Sequence, residues 1–193
     1  MSEGRVRAVI LAAGTSSRAG GQKLLMDFRG RALIEYAIWA TQRWSPIAVV
    51  GADVAEYLEG RGDVTLVRND APARGMSHSL ALANRFLPAD LAMIVVLGDK
   101  PLISETLIET ICSAAAGSDV VYPLHASQPG HPVWLSPQAR LHIDGLPSGD
   151  TLRLLRMHPD LAQRAVESTD RGAFFDVDTV DELRHAASGE RPA

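Results

Sequence analysis

The residues best suited to chemistry follow the first apolar segment of the chain. Leu11, Ala12, Ala13 and Gly14 stand at the end of this segment, and two cationic residues, Arg18 and Lys23, come after them. Because the alanines and the glycine carry almost no side chain, their backbone amides can approach phosphate oxygens closely. Arg18 supplies a planar fork of donors and Lys23 a compact charge, and the two act differently on phosphate. The spacing predicts a loop that binds a triphosphate, with a flexible surface loop as the alternative.

The better-known glycine patterns for phosphate do not fit this loop. Residues 14–18 read Gly-Thr-Ser-Ser-Arg, so the second and third glycines of the dinucleotide fingerprint are missing. The phosphate-loop pattern that ends in Gly-Lys-Ser or Gly-Lys-Thr is missing as well. The sequence therefore argues against a dehydrogenase.

An aspartate follows the most apolar run of the chain. Residues 92–97 are continuously apolar and are followed by Gly98, a pattern typical of a central parallel strand covered on both faces. Asp99 would then lie at the carboxyl end of that strand, where open α/β sheets bind their ligands. Magnesium is a hard cation that prefers carboxylate and phosphate oxygens. Asp99 is the candidate metal ligand, and a turn or N-cap aspartate is the alternative.

A second glycine-containing segment could meet the same ligand. Gly75 permits a close approach of the backbone, and Ser77 and Ser79 place hydroxyl groups at the start of a predicted helix. A helix N-terminus favours negative groups, because its first N–H groups have no partner within the helix. A plain turn followed by a helix N-cap fits these residues equally well.

Alternating strands and helices must position these residues. Apolar runs predict strands at residues 6–11, 47–50, 64–67, 92–97, 120–122, 133–135 and 174–177. Helical spacing and capping residues predict helices at residues 32–43, 54–58, 77–86, 105–115, 138–143, 151–157 and 180–187. This order indicates an open α/β sheet with helices on both faces. Residues 125–175 break the rhythm and are expected to form an insertion or lid-like elaboration, too small for a core of its own.

Bulk composition limits the classes of function. A chain of 193 residues suits one compact domain, here residues 1–187, with a frayed tail at 188–193. A net charge of -4 argues against bulk binding to nucleic acid or to an anionic membrane. The single cysteine, Cys112, excludes an internal disulfide, and the apolar segment at 6–13 is too short to span a membrane. We expect a cytoplasmic protein that has no membrane or nucleic-acid partner.

The motifs together resemble those of a known family. Leu11-Ala12-Ala13-Gly14-x-Ser16-x-Arg18-x-Gly20-x-x-Lys23-Leu24-Leu25 is similar to the opening signature of the molybdenum-cofactor nucleotidyltransferases, closest to the cytidylyltransferase branch. Residues 69–80 resemble the second nucleotide segment of that family, which implies that Asn69, Gly75 and Ser77 contact the base and ribose. Ala19, His78 and Lys100 depart from the usual pattern, and we assign no role to His78 or Lys100.

Two further segments carry the resemblance to the rest of the chain. Residues 176–183 are similar to the family's acidic ending, which implies that Asp178 is the second metal ligand beside Asp99. A helix-start aspartate is the alternative for Asp178. Gly130-His131-Pro132-Val133 resembles the acceptor-side segment, which implies that His131 binds the acceptor; a turn histidine fits equally well. The segment at 149–153 is shorter than its family counterpart, so the acceptor is less well defined than the nucleotide.

The resemblance implies a three-layer, Rossmann-like nucleotidyltransferase fold with a mostly parallel central sheet and a small acceptor-side elaboration. It implies that Mg²⁺ assists transfer of CMP from CTP to molybdopterin or the molybdenum cofactor, with pyrophosphate released. Arg18, Lys23 and Asp99 would be the catalytic residues, and a molybdoenzyme or its chaperone would receive the product. Two alternatives stay open. One is transfer from GTP, ATP or another nucleotide to a sugar or alcohol phosphate, and the other is a nucleotide- or cofactor-binding chaperone without turnover.

Overall fold

The structure, a computed structural model, describes residues 5–14, 23–147, 151–175 and 177. The predicted site residues Arg18 and Asp178 lie outside the described residues, as does the helix predicted at 180–187. Leu11 to Gly14, Lys23 and Asp99 lie within them.

Strands and helices alternate along most of the described chain. In the described ranges the strands are β1 (Val6–Ala12), β2 (Asp27–Phe28), β3 (Arg31–Ala32), β4 (Ile47–Val50), β5 (Thr65–Arg68), β6 (Ala92–Leu97), β7 (Val120–His125), β8 (Gln128–Pro129), β9 (Val133–Leu135) and β10 (Gln163–Glu167). The helices are α1 (Leu33–Thr41), α2 (Ala52–Tyr57), α3 (Met76–Phe86), α4 (Glu105–Ser113), α5 (Pro137–Arg140), α6 (Thr151–Arg156) and α7 (Arg171–Phe174). Short 3₁₀ turns join several of them, including Lys23–Leu25.

One eight-stranded sheet organises these elements. Its strand order is β10-β7-β9-β6-β1-β4-β5, and β8 pairs with β7. The pairs β1–β4, β1–β6, β4–β5 and β7–β10 are parallel. Strand β9 is antiparallel to both β6 and β7, so β7 and β10 run in the same direction as β6. The sheet is therefore mostly parallel, and the carboxyl ends of β1, β4, β5 and β6 meet at one edge.

Helices cover both faces of the sheet because its central strands are apolar on both sides. Along β6, Ile94 and Val96 belong to one buried cluster, whereas Met93 and Val95 belong to the other. The first cluster packs against α1, α2 and α4, and the second against α3, α5 and α6. This three-layer α/β arrangement is the predicted fold class. Strand β6 is central as predicted, but it is parallel on one side only because β9 lies on the other.

The region from 125 to 175 is built into the main sheet. Strand β9 lies between β6 and β7, and β10 extends the sheet beyond β7. Asp119, which precedes β7, links this strand to β9 and β10. Its carboxylate accepts hydrogen bonds from the hydroxyl of Ser136 at 2.7 Å and from the backbone N–H of Ala162 at 3.0 Å. The prediction of a strand at 174–177 is wrong. Phe174 ends α7, and Val177 follows without regular structure.

No helix among the described residues has the length and apolar character needed to cross a membrane.

Candidate active site

A cavity of about 370 Å³ opens where β1 and β6 end and α3 begins. It is lined by Leu11, Ala12, Ala13, Gly14, Lys23, Leu24, Pro72, Gly75, Met76, Ser79, Leu97 and Asp99. The first loop, the second glycine segment and the aspartate after β6 therefore line one space, although they lie far apart in sequence. No sequence pattern predicts the apolar wall formed by Leu24, Pro72 and Met76, since such residues serve equally well in a core.

Close packing of β6 against β1 brings Asp99 to the first loop. Leu11 pairs with Leu97 in the parallel ladder, and the N–H of Gly98 donates to the carbonyl of Leu11 at 3.0 Å. A Cβ on residue 98 would lie 2.9 Å from Cδ1 of Ile34 and 3.2 Å from Cβ of Ala12. Only glycine fits there without a shift of the neighbours, so the bare backbone at Gly98 sets the distance between the loop and Asp99.

Lys23 and Asp99 form an ion pair within the cavity. The ammonium of Lys23 lies 2.9 Å from Oδ2 of Asp99, and their side chains are 13% and 24% exposed. The other carboxylate oxygen, Oδ1, is buried and has no hydrogen-bond partner among the described residues. The backbone N–H of Val177 donates to the carbonyl of Asp99 at 3.2 Å, so the chain passes beside Asp99 one residue before the predicted ligand Asp178.

The N-terminus of α3 forms the opposite wall. Ser79 lines the cavity, but Ser77 and Asn69 do not. Asn69 is 2% exposed, and both the nitrogen and the oxygen of its side-chain amide make hydrogen bonds. Its Nδ2 donates to the hydroxyl of Ser79 at 2.9 Å, and its Oδ1 accepts the N–H of Ala71 at 2.9 Å. These contacts position Ser79, and a direct contact of Asn69 or Ser77 with a ligand stays a prediction.

Gly75 adopts a backbone conformation that other residues avoid. Its φ of +82° and ψ of -174° fall in a region occupied essentially by glycine. We expect Gly75→Ala to lower the free energy of unfolding by about 1–3 kcal/mol, since alanine pays the strain of this conformation. Urea denaturation measures the change. Gly51→Ala is the matched control, because Gly51 has a φ of -78° and open space around its Cα; equal effects of the two substitutions would contradict the prediction.

His131 lies outside the wall of this cavity. Its backbone N–H donates to the carbonyl of Ala173 at 2.9 Å, and its Nδ1 is buried without a hydrogen-bond partner among the described residues. Burial lowers the pKa of His131 to about 3, and the positive charges of Lys100 and Arg156 act in the same direction. A hydrogen bond with the backbone of Val95 opposes them. The imidazole is therefore neutral near pH 7, and acceptor binding by His131 stays a prediction.

The low pKa of His131 makes stability depend on pH. Between about pH 3 and the ordinary histidine pKa of about 6.5, the unfolded chain binds a proton that the folded chain does not. The free energy of unfolding should therefore fall as the pH falls below about 6.5, by up to about 1.4 kcal/mol per unit from this residue. Urea denaturation at pH 4.5, 5.5 and 6.5 should show a shallower dependence in His131→Gln. Parallel curves for the variant and the wild type would refute the assignment.

Lys100 contributes a buried cation next to Asp99. It is 3% exposed, and its ammonium donates to the carbonyl of Phe175 at 3.3 Å. The described residues contain no group of three or more His, Cys, Asp or Glu side chains placed to hold a metal ion. Within those residues the cavity thus combines one carboxylate, Asp99, with one ammonium, Lys23, an arrangement suited to an anionic ligand that brings oxygen atoms of its own.

Comparisons with known proteins agree with this geometry. Residues 8–164 match the family model described as the MobA-like NTP transferase domain. The chain is 25% identical over 183 residues to the molybdenum cofactor cytidylyltransferase of Escherichia coli K12, and the match covers 92% of this chain and 93% of that one. Among solved structures, the Mycobacterium sp. strain JC1 homologue of Mycobacterium tuberculosis Rv0371c has a TM-score of 0.83 at 25% identity, with 96% of each chain covered.

A third relative shares the fold. The structure of Rv0371c from Mycobacterium tuberculosis H37Rv in complex with manganese has a TM-score of 0.74 at 20% identity. It covers 95% of this chain and 98% of its own. The family model spans the first loop, the second glycine segment and Asp99, which are the segments that line the cavity. The chain is a nucleotidyltransferase that belongs to the MobA-like NTP transferase family.

Proposed function

We propose that this enzyme transfers CMP from CTP to the terminal phosphate of molybdopterin or its molybdenum form, with a divalent cation, Mg²⁺ in the cell, as the cofactor. The observation that carries the proposal is the single cavity that joins the loop at Leu11–Gly14 to Lys23 and Asp99. Backbone amides, a cation and a carboxylate in one space suit a metal–triphosphate complex.

The carboxylate of Asp99 fits a divalent cation. Its Oδ1 is buried and lacks a hydrogen-bond partner among the described residues, although a buried carboxylate oxygen ordinarily has one. An ion with a preference for oxygen would satisfy it. We propose Asp99 and Asp178 as the protein ligands, and the hydrogen bond from Val177 to Asp99 supports this pairing. The manganese complex of Rv0371c, a protein with the same fold, supports a divalent ion in general.

The chemistry is attack by a phosphate oxygen of the acceptor on the α-phosphorus of CTP. A new P–O bond forms, the bond between the α-phosphorus and its bridging oxygen breaks, and pyrophosphate departs with the electron pair. The attacking phosphate is already anionic near pH 7, so the reaction needs no dedicated general base. A bound divalent cation would neutralise charge on the phosphates.

The residues of the chain then act by position and charge. In this proposal the amides of residues 11–14 hold the triphosphate, and Lys23 and Arg18 offset the charge of the departing pyrophosphate. Ser79, held by Asn69, offers a hydroxyl at the N-terminus of α3. His131 offers a buried nitrogen that can accept a hydrogen bond on the acceptor side, because its neutral ring donates through only one nitrogen.

Cytosine and molybdopterin are proposed because of two observations. The first loop, which contains Ala12 and Ala13, resembles that of the cytidylyltransferase branch, and the Escherichia coli relative that matches almost the whole chain is a molybdenum cofactor cytidylyltransferase. Incubation of the enzyme and Mg²⁺ with molybdopterin and each of CTP, GTP, ATP and UTP tests both. We expect mass spectrometry to show a cytosine dinucleotide, with one pyrophosphate released per product.

Other outcomes would separate the alternatives. A guanine or adenine dinucleotide would overturn the choice of CTP while keeping the acceptor. Pyrophosphate release only with a sugar or alcohol phosphate would overturn the acceptor. Tight binding of a nucleotide, detected by a rise in melting temperature, without any pyrophosphate release would support a chaperone instead.

A further inference from the structure

Of the two lysines of the chain, Lys23 lies at the proposed metal site. Among the 19 lysine and arginine residues, lysine occurs only at positions 23 and 100. Lys23 contacts the carboxylate of Asp99, and Lys100 follows Asp99 directly in the chain and is 3% exposed. An ammonium is a compact charge similar in role to a small cation, whereas a guanidinium is a planar fork. Lys23 is therefore a positive charge held on the carboxylate that is proposed to bind the metal ion.

Lys23 and a metal ion would need the same carboxylate. The ammonium lies 2.9 Å from Oδ2, and a metal on Asp99 would bring a double positive charge within a few ångströms of it. Like charges this close repel, and a divalent ion repels the ammonium twice as strongly as a single charge would at the same distance. Both side chains are mostly shielded from solvent, so water screens this repulsion only partly.

We propose that Lys23 is a displaceable counter-ion of Asp99, which weakens metal binding until a triphosphate arrives and draws the ammonium onto its phosphates. Lys23, Asp99 and residues 11–14 all line the same cavity, so the ammonium can reach a triphosphate bound there without leaving the cavity. The nucleotide supplies the anion that draws Lys23 away from Oδ2, and an ion on Oδ1 would then no longer be repelled by the ammonium.

Linkage makes the effect reciprocal. If the triphosphate strengthens metal binding by removing Lys23 from Asp99, the metal strengthens triphosphate binding by the same factor. The lysine thereby favours a site that is either empty of both ligands or filled with both. This inference rests on the proposed function only in that Asp99 holds the metal, and it does not require CTP or molybdopterin to be the substrates.

The direct test is binding of Mn²⁺ alone, followed by the paramagnetic resonance signal of the free ion. Lys23→Met removes the charge and keeps the length of the side chain, and we expect it to bind Mn²⁺ at least about tenfold more tightly than the wild type. Lys23→Arg keeps the charge and should bind as weakly as the wild type. Arg43→Met, which removes a charge from an exposed pair with Glu105, controls for net charge and should leave the affinity unchanged.

Equal Mn²⁺ affinities in Lys23→Met and the wild type would overturn the proposal, and so would tighter binding in Arg43→Met of the same size. Failure of the proposed transfer reaction would leave these binding results intact, so the two failures are distinguishable.

A second measurement uses the wild-type enzyme and does not depend on a variant that folds. Amine-directed acetylation is followed by peptide mass spectrometry, with N-acetyl-lysine in solution as the reference. Mn²⁺ alone should increase the acetylation of Lys23 several-fold, because it frees the ammonium from Asp99. Mn²⁺ together with a nonhydrolysable CTP analogue should lower it again. Acetylation of Lys23 that does not respond to Mn²⁺ would count against the exchange.

Discussion

Replacing Asp99 by asparagine should lower the rate of nucleotidyl transfer by roughly a thousandfold, which corresponds to about 4 kcal/mol of transition-state stabilisation. The substitution keeps the shape of the side chain and one oxygen but removes the charge that a divalent cation requires. It also leaves the ammonium of Lys23 without its carboxylate partner at 2.9 Å. The loss should therefore come from charge and not from altered packing.

The matched control for Asp99→Asn is Asp144→Asn. Asp144 is an exposed aspartate that pairs with Arg85 at 3.6 Å and does not line the cavity. Its neutralisation should therefore change the rate less than about twofold. Single-turnover measurement with saturating CTP and Mg²⁺ compares the chemical step in both variants, and circular dichroism checks that each is folded. A rate above one tenth of the wild type in Asp99→Asn would remove this aspartate from the metal site.

The fold could be predicted because its central strands are apolar on both faces. The continuous run at residues 92–97 has no polar side, which favours a strand between two helical layers, and β6 occupies that position. The same reasoning applies to the apolar run at residues 8–11, which follows Arg7. Asp99 could be predicted for a related reason, since a parallel strand delivers the residue after it to the ligand-binding edge.

Strand β10 escaped prediction because it lies at the edge of the sheet. Its sequence, Gln-Arg-Ala-Val-Glu, is mostly exposed and has one partly buried residue, Val166. Hydrophobic periodicity reports burial, so a strand that buries little gives little signal. The strand predicted at 174–177 failed for the opposite reason. Its residues Phe174, Phe175 and Val177 pack against the core, but Phe174 is the last residue of α7.

The details of the second glycine segment depend on where α3 begins. Sequence alone leaves a helix boundary uncertain by one or two residues, and each residue turns the side chains by about 100°. That uncertainty decides whether Ser77 or Ser79 faces the cavity. In the structure α3 begins at Met76, and Ser79 is the serine that lines the cavity. The side-chain amide of Asn69 donates a hydrogen bond to the Ser79 hydroxyl. The burial of Lys100 was also hidden, since it depends on the distant carbonyl of Phe175.

Replacing Arg140 by methionine should destabilise the fold strongly, although Arg140 does not line the cavity. Its guanidinium is buried, with the residue 4% exposed. It donates to Oδ1 of Asn84 at 2.8 Å and to the carbonyls of Asn84, Leu87, Pro88 and Leu91. These carbonyls end α3 and the turn after it. Arg140 thus caps the helix with a positive charge, where the helix dipole favours one.

Methionine fills similar space but leaves these buried carbonyls without donors. We expect Arg140→Met to lower the free energy of unfolding by roughly 3–5 kcal/mol, as for other buried charged networks that lose one member. Arg140→Lys keeps the charge but can reach fewer carbonyls, so its loss should be smaller. Arg85→Met on the same helix is the control, because Arg85 is exposed and its pair with Asp144 is long, at 3.6 Å. Urea denaturation measures all three.

The position of Arg140 also predicts what the loss will do to catalysis. It holds the C-terminal end of α3, whereas the cavity meets the N-terminal end at Met76 and Ser79. Helix α3 has 11 residues and is about 16 Å long, so the charge lost at its C-terminal end is far from the cavity. Unless the whole helix shifts, the folded fraction of Arg140→Met should therefore retain most of its rate. A hundredfold lower rate per folded molecule would contradict this. It would show that Arg140 also fixes the position of α3, and with it the position of Ser79 relative to Asp99.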